Sequence, residues 1–538
     1  METRSRTIVS ALAGSLALSL LCGAPSASLA KTPADQIVLG FSMLNILTMD
    51  PGAMNGAEME YIANMYDYLI ETDPTDKSKI LPGLATSWTV SDDRQTLTFK
   101  LRDGIKFQSG NPLTAEDVVW SFRRILQLNL GQATFWKSFG FTADNVTQLV
   151  TAPDPLTVEI KLPAPTDPQL MLYNLTMGGA VAVDRKLVAQ HEKDGDRGAA
   201  WLKTNSAGSG AFKLQNWQPN NTLVLERNAD YWRGAPKMRR VIYRHLPESQ
   251  AQRLAIERGD IDIAMTMNAT DIGALKDNKN VQIESTVMGT VYYLGASMKD
   301  PKFADKRVRL ALRHLVDYDG INNTLMPYYG IKHLRPIQKK AMGSLPDPDY
   351  KLDVPKAKQL LAEAGYPNGF KTTLRVLSDA PFPSVAAAMQ STMAQAGIDA
   401  QILMGNGEQV YGAMRKREFE LIIGLGGGGS DPHPHSNLRS QIFNPDNSDE
   451  AKMSAFQGWR AAFHSPELNK DIETALLERD PEKQKSMYED IQRKVEDVVP
   501  ALQPFSQVVI TNVVAKDVQG YRFHPGYTTR FRDVAKAR

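Results

Sequence analysis

The residues best suited to chemistry lie in a glycine-rich loop that reads G-L-G-G-G-G-S-D-P-H-P-H from Gly424 to His435. Glycine leaves backbone amides accessible, so a ligand can approach such a loop closely. The loop lacks the Gly-Lys-Ser/Thr of a phosphate-binding loop and the spacing and distal acid of a dinucleotide site. Two interpretations stay open: close contact with a ligand, and a merely flexible loop.

Metal binding is a second chemistry that this loop could support. His433 and His435 are two residues apart and follow Asp431, and imidazole is a common metal ligand. No cysteine and no third histidine lies nearby in the sequence. Imidazoles with ordinary hydrogen-bond partners are the preferred interpretation, so these two residues are weak metal candidates and we predict no cofactor.

Two tyrosines and one arginine could contribute to a binding site elsewhere in the chain. Tyr292 and Tyr293 are neighbours on a predicted strand, so their side chains point to opposite faces. One could line a cleft while the other packs, and packing is the usual role of a tyrosine. Arg335 could hold a ligand carboxylate through two parallel hydrogen bonds, or it could pair with Asp347 or Asp349.

No nucleophile with its base is visible in the sequence. The chain has no G-x-S-x-G, S-x-x-K or H-E-x-x-H motif, and its one cysteine is Cys22, near the N-terminus. A triad scattered along the chain would leave no such motif. We predict a protein without enzymatic activity, and a secreted hydrolase is the alternative from another class.

The first 30 residues are typical of a secretory signal peptide. Arg4 and Arg6 precede an apolar run over 8–22, and small residues end the segment at Ala30. The run is too short and too rich in serine and glycine to span a membrane comfortably. We predict cleavage near Ala30, export to the periplasm, and a mature chain without cysteine.

The composition excludes some classes of function. The chain has 538 residues, of which 42% are hydrophobic and 23% are charged, values typical of globular proteins. This length predicts two or three domains. A net charge of +2 argues against a nucleic-acid-binding surface.

Alternation and capping signals predict the elements that position these residues. Leu97, Phe99 and Leu101 alternate as a half-buried strand, and Thr114 with Asp117 resembles a capping box at the start of a helix. A helix is predicted over 57–69. The segment over 208–263 predicts three strands and a short helix that ends at Gly259, and separate strands are predicted over 281–285 and 290–296. Farther along, a helix capped by Asp353 and a strand-helix-strand pattern over 373–403 predict an α/β domain.

The amino-acid sequence over residues 81–126, 208–263 and 352–370 resembles that of the family 5 extracellular solute-binding proteins, the peptide and nickel class that serves ABC importers. The resemblance covers nearly all of the mature chain. It implies an α/β fold of the periplasmic binding protein type, with two lobes, three domains and a hinged ligand cleft. The implied domains are a discontinuous domain I over 31–80, 206–290 and 501–538, a small domain II over 81–205, and a domain III over 291–500.

The resemblance also implies a ligand and partners. We expect a monomer that captures a small peptide or peptide-like solute and delivers it to a membrane permease with separate ATPase subunits. A metal or metallophore receptor is the alternative within the same family. Peptide binders of this family carry an aspartate in the glycine loop that pairs with the ligand's α-amino group. In this chain Leu425 stands where the family has tryptophan and Gly428 where it has the acid.

A buried ligand ammonium without a carboxylate would be costly. Asp431 could replace the missing acid, or the ligand could lack a free amino terminus. The candidate ligand-binding residues are Tyr292, Tyr293, Arg335, Gly427, Gly428, Ser430 and Asp431.

Overall fold

A computed structural model describes residues 31–54, 59–429 and 431–537, so the predicted signal peptide and Ser430 lie outside the described residues. The strands are β1 Gln36–Phe41, β2 Ile70–Thr72, β3 Ile80–Pro82, β4 Ala85–Val90, β5 Thr96–Leu101, β6 Val150–Asp154, β7 Thr157–Lys161, β8 Phe212–Gln218, β9 Thr222–Arg227, β10 Arg240–His245, β11 Ile263–Ala264, β12 Val281–Ala296, β13 Gly330–Lys332, β14 Lys371–Leu377, β15 Asp399–Gly405, β16 Leu421–Gly426, β17 Leu502–Ala515, β18 Val518–Gln519 and β19 Ala535–Lys536.

The helices surround these strands in a mixed α/β arrangement. They are α1 Met59–Met65, α2 Ala115–Gln127, α3 Ala133–Lys137, α4 Val146–Leu149, α5 Pro168–Asn174, α6 Arg185–Ala189, α7 Ala199–Leu202, α8 Ser249–Arg258, α9 Ala269–Ala274, α10 Pro301–Ala304, α11 Lys306–Arg313, α12 Tyr318–Gly320 continued by a π-helical turn Ile321–Leu325, α13 Val354–Glu363, α14 Phe382–Gln395, α15 Gly407–Arg415, α16 Pro434–Gln441, α17 Gln457–Arg460, α18 Pro466–Leu477, α19 Pro481–Val498 and a 3-10 turn Phe531–Asp533. No helix among the described residues is long and apolar enough to cross a membrane.

One eleven-stranded sheet runs through most of the molecule. Its order is β15-β14-β16-β12-β17-β11-β1-β10-β9-β8, and β13 pairs with β17 off this path. The strands β8 to β11 with β1 form one part of this sheet, and β13 to β16 form the other part. The long strands β12 and β17 belong to both parts and therefore connect them.

The strand β12 corrects one prediction. The two strands predicted over 281–285 and 290–296 are one strand of 16 residues. Its first half pairs with residues 509–515 of β17 and its second half with residues 502–507, with a register break between Val287 and Val291. Residues 286–289, which were not predicted as strand, continue it because β17 supplies a pairing partner on both sides of that break. The break lies beside the predicted domain boundary at residue 290, and the boundaries themselves stay a prediction.

A separate four-stranded sheet lies between Ala85 and Lys161, in the order β4-β5-β7-β6. The predicted alternation in β5 is confirmed, because Leu97, Phe99 and Leu101 are buried while Lys100 is exposed. The capping box at the start of α2 is also confirmed, since the amide and the hydroxyl of Thr114 both donate to the Asp117 carboxylate at 2.9 Å. This sheet and α2 form the core of a region that continues through α5, and we call residues 85–174 the small unit.

A buried ion pair joins this small unit to the N-terminal segment. Both terminal nitrogens of Arg124 on α2 donate to the Asp50 carboxylate, at 2.9 and 2.6 Å, and both side chains are almost fully enclosed. Removal of one partner from such a pair leaves a buried charge uncompensated. The pair therefore fixes the orientation of α2 relative to the start of the large sheet.

The sequence signals over 208–263 and 352–405 give the predicted elements. Strands β8 and β9 form an antiparallel hairpin, β10 pairs with β9, and α8 ends at Gly259 in the left-handed conformation. The Asp353 side chain caps α13, and β14 and β15 are parallel with α14 between them. The helix predicted over 57–69 is shorter, because α1 ends at Met65 and β2 follows at Ile70.

Candidate ligand-binding cleft

The glycine loop between β16 and α16 is tightly packed. Gly427, Gly428 and Gly429 have φ angles of 94°, 74° and 88°, which side-chain-bearing residues adopt only with strain. A Cβ atom at Gly428 would lie 2.3 Å from the Ser436 carbonyl oxygen, and one at Gly429 would lie 2.2 Å from that of Gly289. These contacts leave no room for a side chain at residues 428 and 429, which accounts for glycine at these two positions.

Side chains of α16 hold this loop in place. The Gly427 carbonyl accepts hydrogen bonds from Asn437 Nδ2 at 2.7 Å and from Gln441 Nε2 at 3.1 Å. The second N–H of Asn437 reaches the Gly289 carbonyl in the middle of β12 at 3.2 Å. The loop is thus anchored where β12 changes its register.

Asp431 is buried and its carboxylate is already occupied. One oxygen accepts the His433 amide at 2.8 Å and the other accepts the Ser436 hydroxyl at 2.8 Å, so the carboxylate organises the start of α16. Its backbone carbonyl accepts Gln338 Nε2 at 2.8 Å. These contacts favour a structural role for Asp431 over the ammonium-binding role considered from the sequence.

A lysine lies opposite this loop. Lys77 Nζ is 3.5 Å from the Gly429 carbonyl. Burial lowers the pKa of the Lys77 ammonium to about 8, and the nearby Asp431 carboxylate partly opposes that change. Lys77 is therefore close enough to Asp431 for the two side chains to interact electrostatically.

His433 contacts the small unit across the groove beside this loop. Its Nε2 lies 3.3 Å from Asp167 Oδ2, which also accepts Gln484 Nε2 at 3.1 Å. Arg94 donates to Asp167 Oδ1 at 2.8 Å. Burial opposes ionisation of Asp167, but the hydrogen bond and charge of His433 and the Gln484 contact lower its pKa to about 2. We call this cluster of four residues the Asp167 bridge, because it joins residues 85–174 to α16 and α19.

His435 lies beside His433 at the start of α16. Their ring centroids are 6.4 Å apart, and burial lowers the pKa of His435 to about 3. Among residues 31–54, 59–429 and 431–537, no group of three or more histidine, cysteine or acidic side chains is arranged to hold a metal ion.

A groove of about 420 Å³ lies beside the Asp167 bridge. One wall comes from the small unit and includes Phe135, Phe139 and Asn174. The opposite wall includes Gly428 and Asp431 from the glycine loop. Two of the sequence-predicted residues, Gly428 and Asp431, therefore line the same groove, and its volume suits a small ligand.

Tyr292 and Tyr293 point to opposite sides of β12, as their adjacency predicts. The Tyr292 ring contacts Phe382 and Phe505 edge-on or tilted, at centroid distances of 5.6 and 6.2 Å. Burial raises the pKa of its phenol, and the phenols of Tyr329, Tyr411 and Tyr527 add to that effect. Tyrosines from separate segments of the chain thus gather around Tyr292.

Tyr293 is fully buried. Its hydroxyl donates to Met414 Sδ at 3.5 Å and accepts from Gln457 Nε2 at 3.4 Å. The side chain packs in the core beneath α15 and faces away from Tyr292, an arrangement that favours packing over ligand contact.

Arg335 pairs with a residue that the sequence did not indicate. Its guanidinium lies 3.1 Å from Glu496 Oε2, and its Nε donates to the Pro346 carbonyl at 2.5 Å. Asp347, one of the two predicted partners, instead binds His333 and Lys339. The predicted pairing with Asp347 or Asp349 is therefore wrong, because α19 brings Glu496 close from a distant part of the chain.

A second cavity, of about 150 Å³, lies beneath α1. We call it the Glu60 cavity, and its lining includes Phe41, Glu60, Tyr61, Tyr243, Met265, Thr266, Ile510, Asn512, Phe523 and Tyr527. Sequence reasoning missed Glu60, because the burial of the whole of α1 is visible only in the structure. All seven residues of this helix are buried, and a buried glutamate requires an explanation.

Comparison with solved structures defines the class of fold. The chain aligns with HbpA2 from Haemophilus parasuis at a TM-score of 0.78 and 22% identity, covering 94% of this chain and 100% of that chain. It aligns with the periplasmic binding protein DppA from Helicobacter pylori, solved in complex with the peptide STSA, at a TM-score of 0.76 and 23% identity, covering 94% and 98%. The predicted two-lobed, three-domain binding-protein fold is confirmed.

The sequence comparisons identify the family. The model of the bacterial extracellular solute-binding proteins, family 5, matches residues 79–449. The probable D,D-dipeptide-binding periplasmic protein DdpA of Escherichia coli (strain K12) is 29% identical over 519 residues, which cover 95% of each chain. The dipeptide-binding protein of the same organism is 26% identical, over 88% of this chain and 89% of that protein. The chain belongs to the family 5 extracellular solute-binding proteins, which are transport receptors and not enzymes.

Proposed function

We propose that this protein is the periplasmic receptor of an ABC importer and that it captures a peptide or peptide-like solute between its lobes. The observation that carries the proposal is the groove beside the Asp167 bridge, which has one wall from the small unit and one from the glycine loop. Its full-length relatives described as binding dipeptides support the same ligand class.

The geometry suits capture and release rather than catalysis. Strands β12 and β17 connect the two parts of the large sheet, and their register break gives a place where the parts can rotate. Exclusion of water by closure would strengthen every polar contact to the ligand. The proposal also includes a signal peptide that is cleaved near Ala30. The mature receptor is a monomer that delivers its solute to a membrane permease.

Identification of the bound solute tests this function directly. The exported protein is purified, denatured mildly, and the released small molecules are identified by mass spectrometry. We expect one unchanged peptide-like solute per protein molecule, and titration of that solute should raise the melting temperature. A solute that is consumed with turnover would instead establish the hydrolase alternative.

The same purified protein tests the metal alternative. One solved relative, NikZ from Campylobacter jejuni, is in complex with Ni(L-His), and its 19% identity to this chain shows the fold alone. Nickel with histidine should leave the melting temperature unchanged if the ligand is peptide-like. Stabilisation by nickel that disappears in the variant with both His433→Ala and His435→Ala would favour a metal receptor.

A further inference from the structure

Three buried polar atoms without hydrogen-bond partners line the Glu60 cavity. They are Glu60 Oε1, Tyr243 Oη and Asn512 Oδ1, and none has a partner among the described residues. The Asn512 side-chain nitrogen donates to the Tyr521 hydroxyl at 3.0 Å, which leaves its carbonyl oxygen for another donor. Buried polar atoms in native proteins are nearly always paired, so three on one cavity indicate a site with a missing donor.

Other buried carboxylates of the chain have such donors. Asp67 accepts hydrogen bonds from the side chains of Ser209, Tyr231 and Trp232 at 2.8 to 3.0 Å. Glu71 is paired with Arg532 through both of its oxygens, at 3.0 and 2.7 Å. Glu60 is only 4% exposed, yet its side chain has no comparable partner among the described residues.

Aromatic rings form much of the wall around these atoms. The Tyr243 ring contacts Phe41 and Tyr61 edge-on, at centroid distances of 5.7 and 6.4 Å, and the Phe523 ring contacts Tyr527 at 5.8 Å. Aromatic faces attract cations through their quadrupole. A carboxylate enclosed by aromatic rings is a common arrangement for binding an organic cation.

Tyr527 lines this cavity and lies near Tyr292, one of the ligand-binding residues predicted from the sequence. Its phenol is close enough to Tyr292 to influence that residue electrostatically. A ligand beside Tyr292 could therefore extend one group past Tyr527 toward Glu60.

We propose that the Glu60 cavity binds a primary ammonium group of the transported solute, with Glu60 as the counter-ion. The proposal rests on the proposed receptor function and assigns the cation-binding role to α1 instead of the glycine loop. An ammonium group has three N–H donors and no acceptor, which matches the acceptors of Glu60, Tyr243 and Asn512. The carboxylate and ammonium would lose water together, so each would stabilise the charged form of the other.

The state of Glu60 without ligand agrees with this role. Burial raises the pKa of the Glu60 carboxyl to about 8, and no neighbouring charge contributes to that shift. The carboxyl is therefore mostly neutral near pH 7. Binding of a cation would restore the carboxylate, and the proton that leaves Glu60 would pass to solvent.

The ammonium could come from an amino terminus or from a side chain, and matched peptides distinguish these sources. Alanyl-alanine carries only an α-ammonium, and N-acetyl-alanyl-lysine carries only a side-chain ammonium. Their uncharged partners are N-acetyl-alanyl-alanine and N-acetyl-alanyl-norleucine. Butylammonium and 1-butanol form a third pair that tests the cavity without a peptide.

Calorimetric titration and thermal shift with the purified protein test the proposal. We expect the charged member of at least one peptide pair to bind about tenfold more tightly than its partner, and Glu60→Gln should remove this difference. If no peptide binds, preferential stabilisation by butylammonium that is lost in Glu60→Gln supports the ammonium site and counts against the peptide ligand.

Three results would overturn the proposal. Equal binding of charged and uncharged peptides would leave the receptor function intact and remove the ammonium site. A preference that persists in Glu60→Gln but disappears in Asp431→Asn would place the cation at the glycine loop. No preference in any of the three pairs would also reject it.

Two further variants distinguish loss of the binding site from misfolding of the protein. Glu482→Gln removes the same charge from an exposed position on α19 that does not line the cavity, and it should bind like the wild type. Tyr243→Phe removes one of the three acceptors and keeps the ring, so the preference for the charged ligand should fall about 3-fold without a change in fold.

Discussion

Glu60 and Asp431 are buried acidic side chains in two different regions of the molecule, and within the described part of the chain only Asp431 has hydrogen-bond donors. Asp431, on the glycine loop, accepts a backbone amide and a hydroxyl, each at 2.8 Å. Glu60, on α1, is 4% exposed and has an oxygen without a partner among the described residues. The loop looks like a binding site in the sequence, whereas the helix does not.

The difference shows how a buried acid reveals its role. A carboxylate with internal donors stabilises the fold, because its hydrogen bonds compensate its desolvation. A carboxylate without donors destabilises the fold until a ligand supplies them. Such a cost is retained in a native protein when the group serves function.

The largest effect should come from filling the packed glycine loop. In Gly429→Ala, the new Cβ would lie 2.2 Å from the Gly289 carbonyl oxygen at a left-handed φ. We expect a loss of about 4 kcal/mol in unfolding free energy, from backbone strain and a contact that cannot relax cheaply. Urea denaturation followed by circular dichroism measures it.

Gly365→Ala is the matched control for this substitution. Gly365 also has a left-handed φ, of 93°, but a Cβ there would meet nothing within 4 Å. It should cost only about 1 kcal/mol. Equal losses in both variants would show that the glycine loop is less tightly packed than the structure indicates.

The second effect concerns the dependence of stability on pH. The Glu60 pKa is about 8 in the folded state, above its ordinary value of 4.5, so the folded protein holds an extra proton between these values. Stability should therefore decrease as pH rises through this window, by about 1.4 kcal/mol per pH unit. Glu60→Gln cannot ionise and should lack this contribution.

Unfolding of wild type and Glu60→Gln at pH 5.5 and 7.5 isolates the contribution of this residue. The variant should gain about 3 kcal/mol relative to wild type between these two pH values. Tyr243 and Tyr521 are the titratable neighbours that sense Glu60, and burial raises the pKa of both, so neither ionises in this range. If the unfolding free energies of wild type and Glu60→Gln changed with pH in parallel, Glu60 would have a hydrogen-bond or ionic partner in solution.

The third effect concerns closure across the groove. Asp167→Asn removes the charge that Arg94 and His433 share in the Asp167 bridge, without a change in size. We expect the closed form to lose about 1 kcal/mol and the affinity for the co-purified solute to fall about fivefold. Small-angle scattering with and without that solute should show a more open unliganded protein.

The dependence of stability on acidic pH gives a second test of the Asp167 bridge. The Asp167 pKa is lowered to about 2, so the bridge contributes stability above the ordinary value of 3.8 and loses it as pH falls toward 2. Asp167→Asn should lack this loss. An unchanged affinity in Asp167→Asn at neutral pH would show that the bridge does not stabilise closure.

The smallest effect should come from Asp431→Asn. The amide can still accept the His433 N–H through its oxygen, but its nitrogen cannot accept the Ser436 hydroxyl proton. We expect about 1 kcal/mol of destabilisation in thermal unfolding and little change in solute affinity. A large loss of affinity with normal stability would return the ligand anchor to the glycine loop.

Several helices and strands could be predicted from the sequence, because the signals that define them lie within a few residues of one another. Alternation gave β5, and side-chain capping gave the starts of α2 and α13. The division of β12 into two strands was wrong, because strand length depends on a partner more than 200 residues away. The same limit applies to Arg335, whose partner Glu496 lies on α19.

The sequence by itself determined the family, the α/β class and the positions of most helices and strands, since periodicity, caps and turns act between near neighbours. Only the tertiary structure decided which carboxylates are paired. Glu60 and Asp431 are both ordinary acids in the chain, and their difference arises because folding brings hydroxyl and amide donors to one and apolar rings to the other.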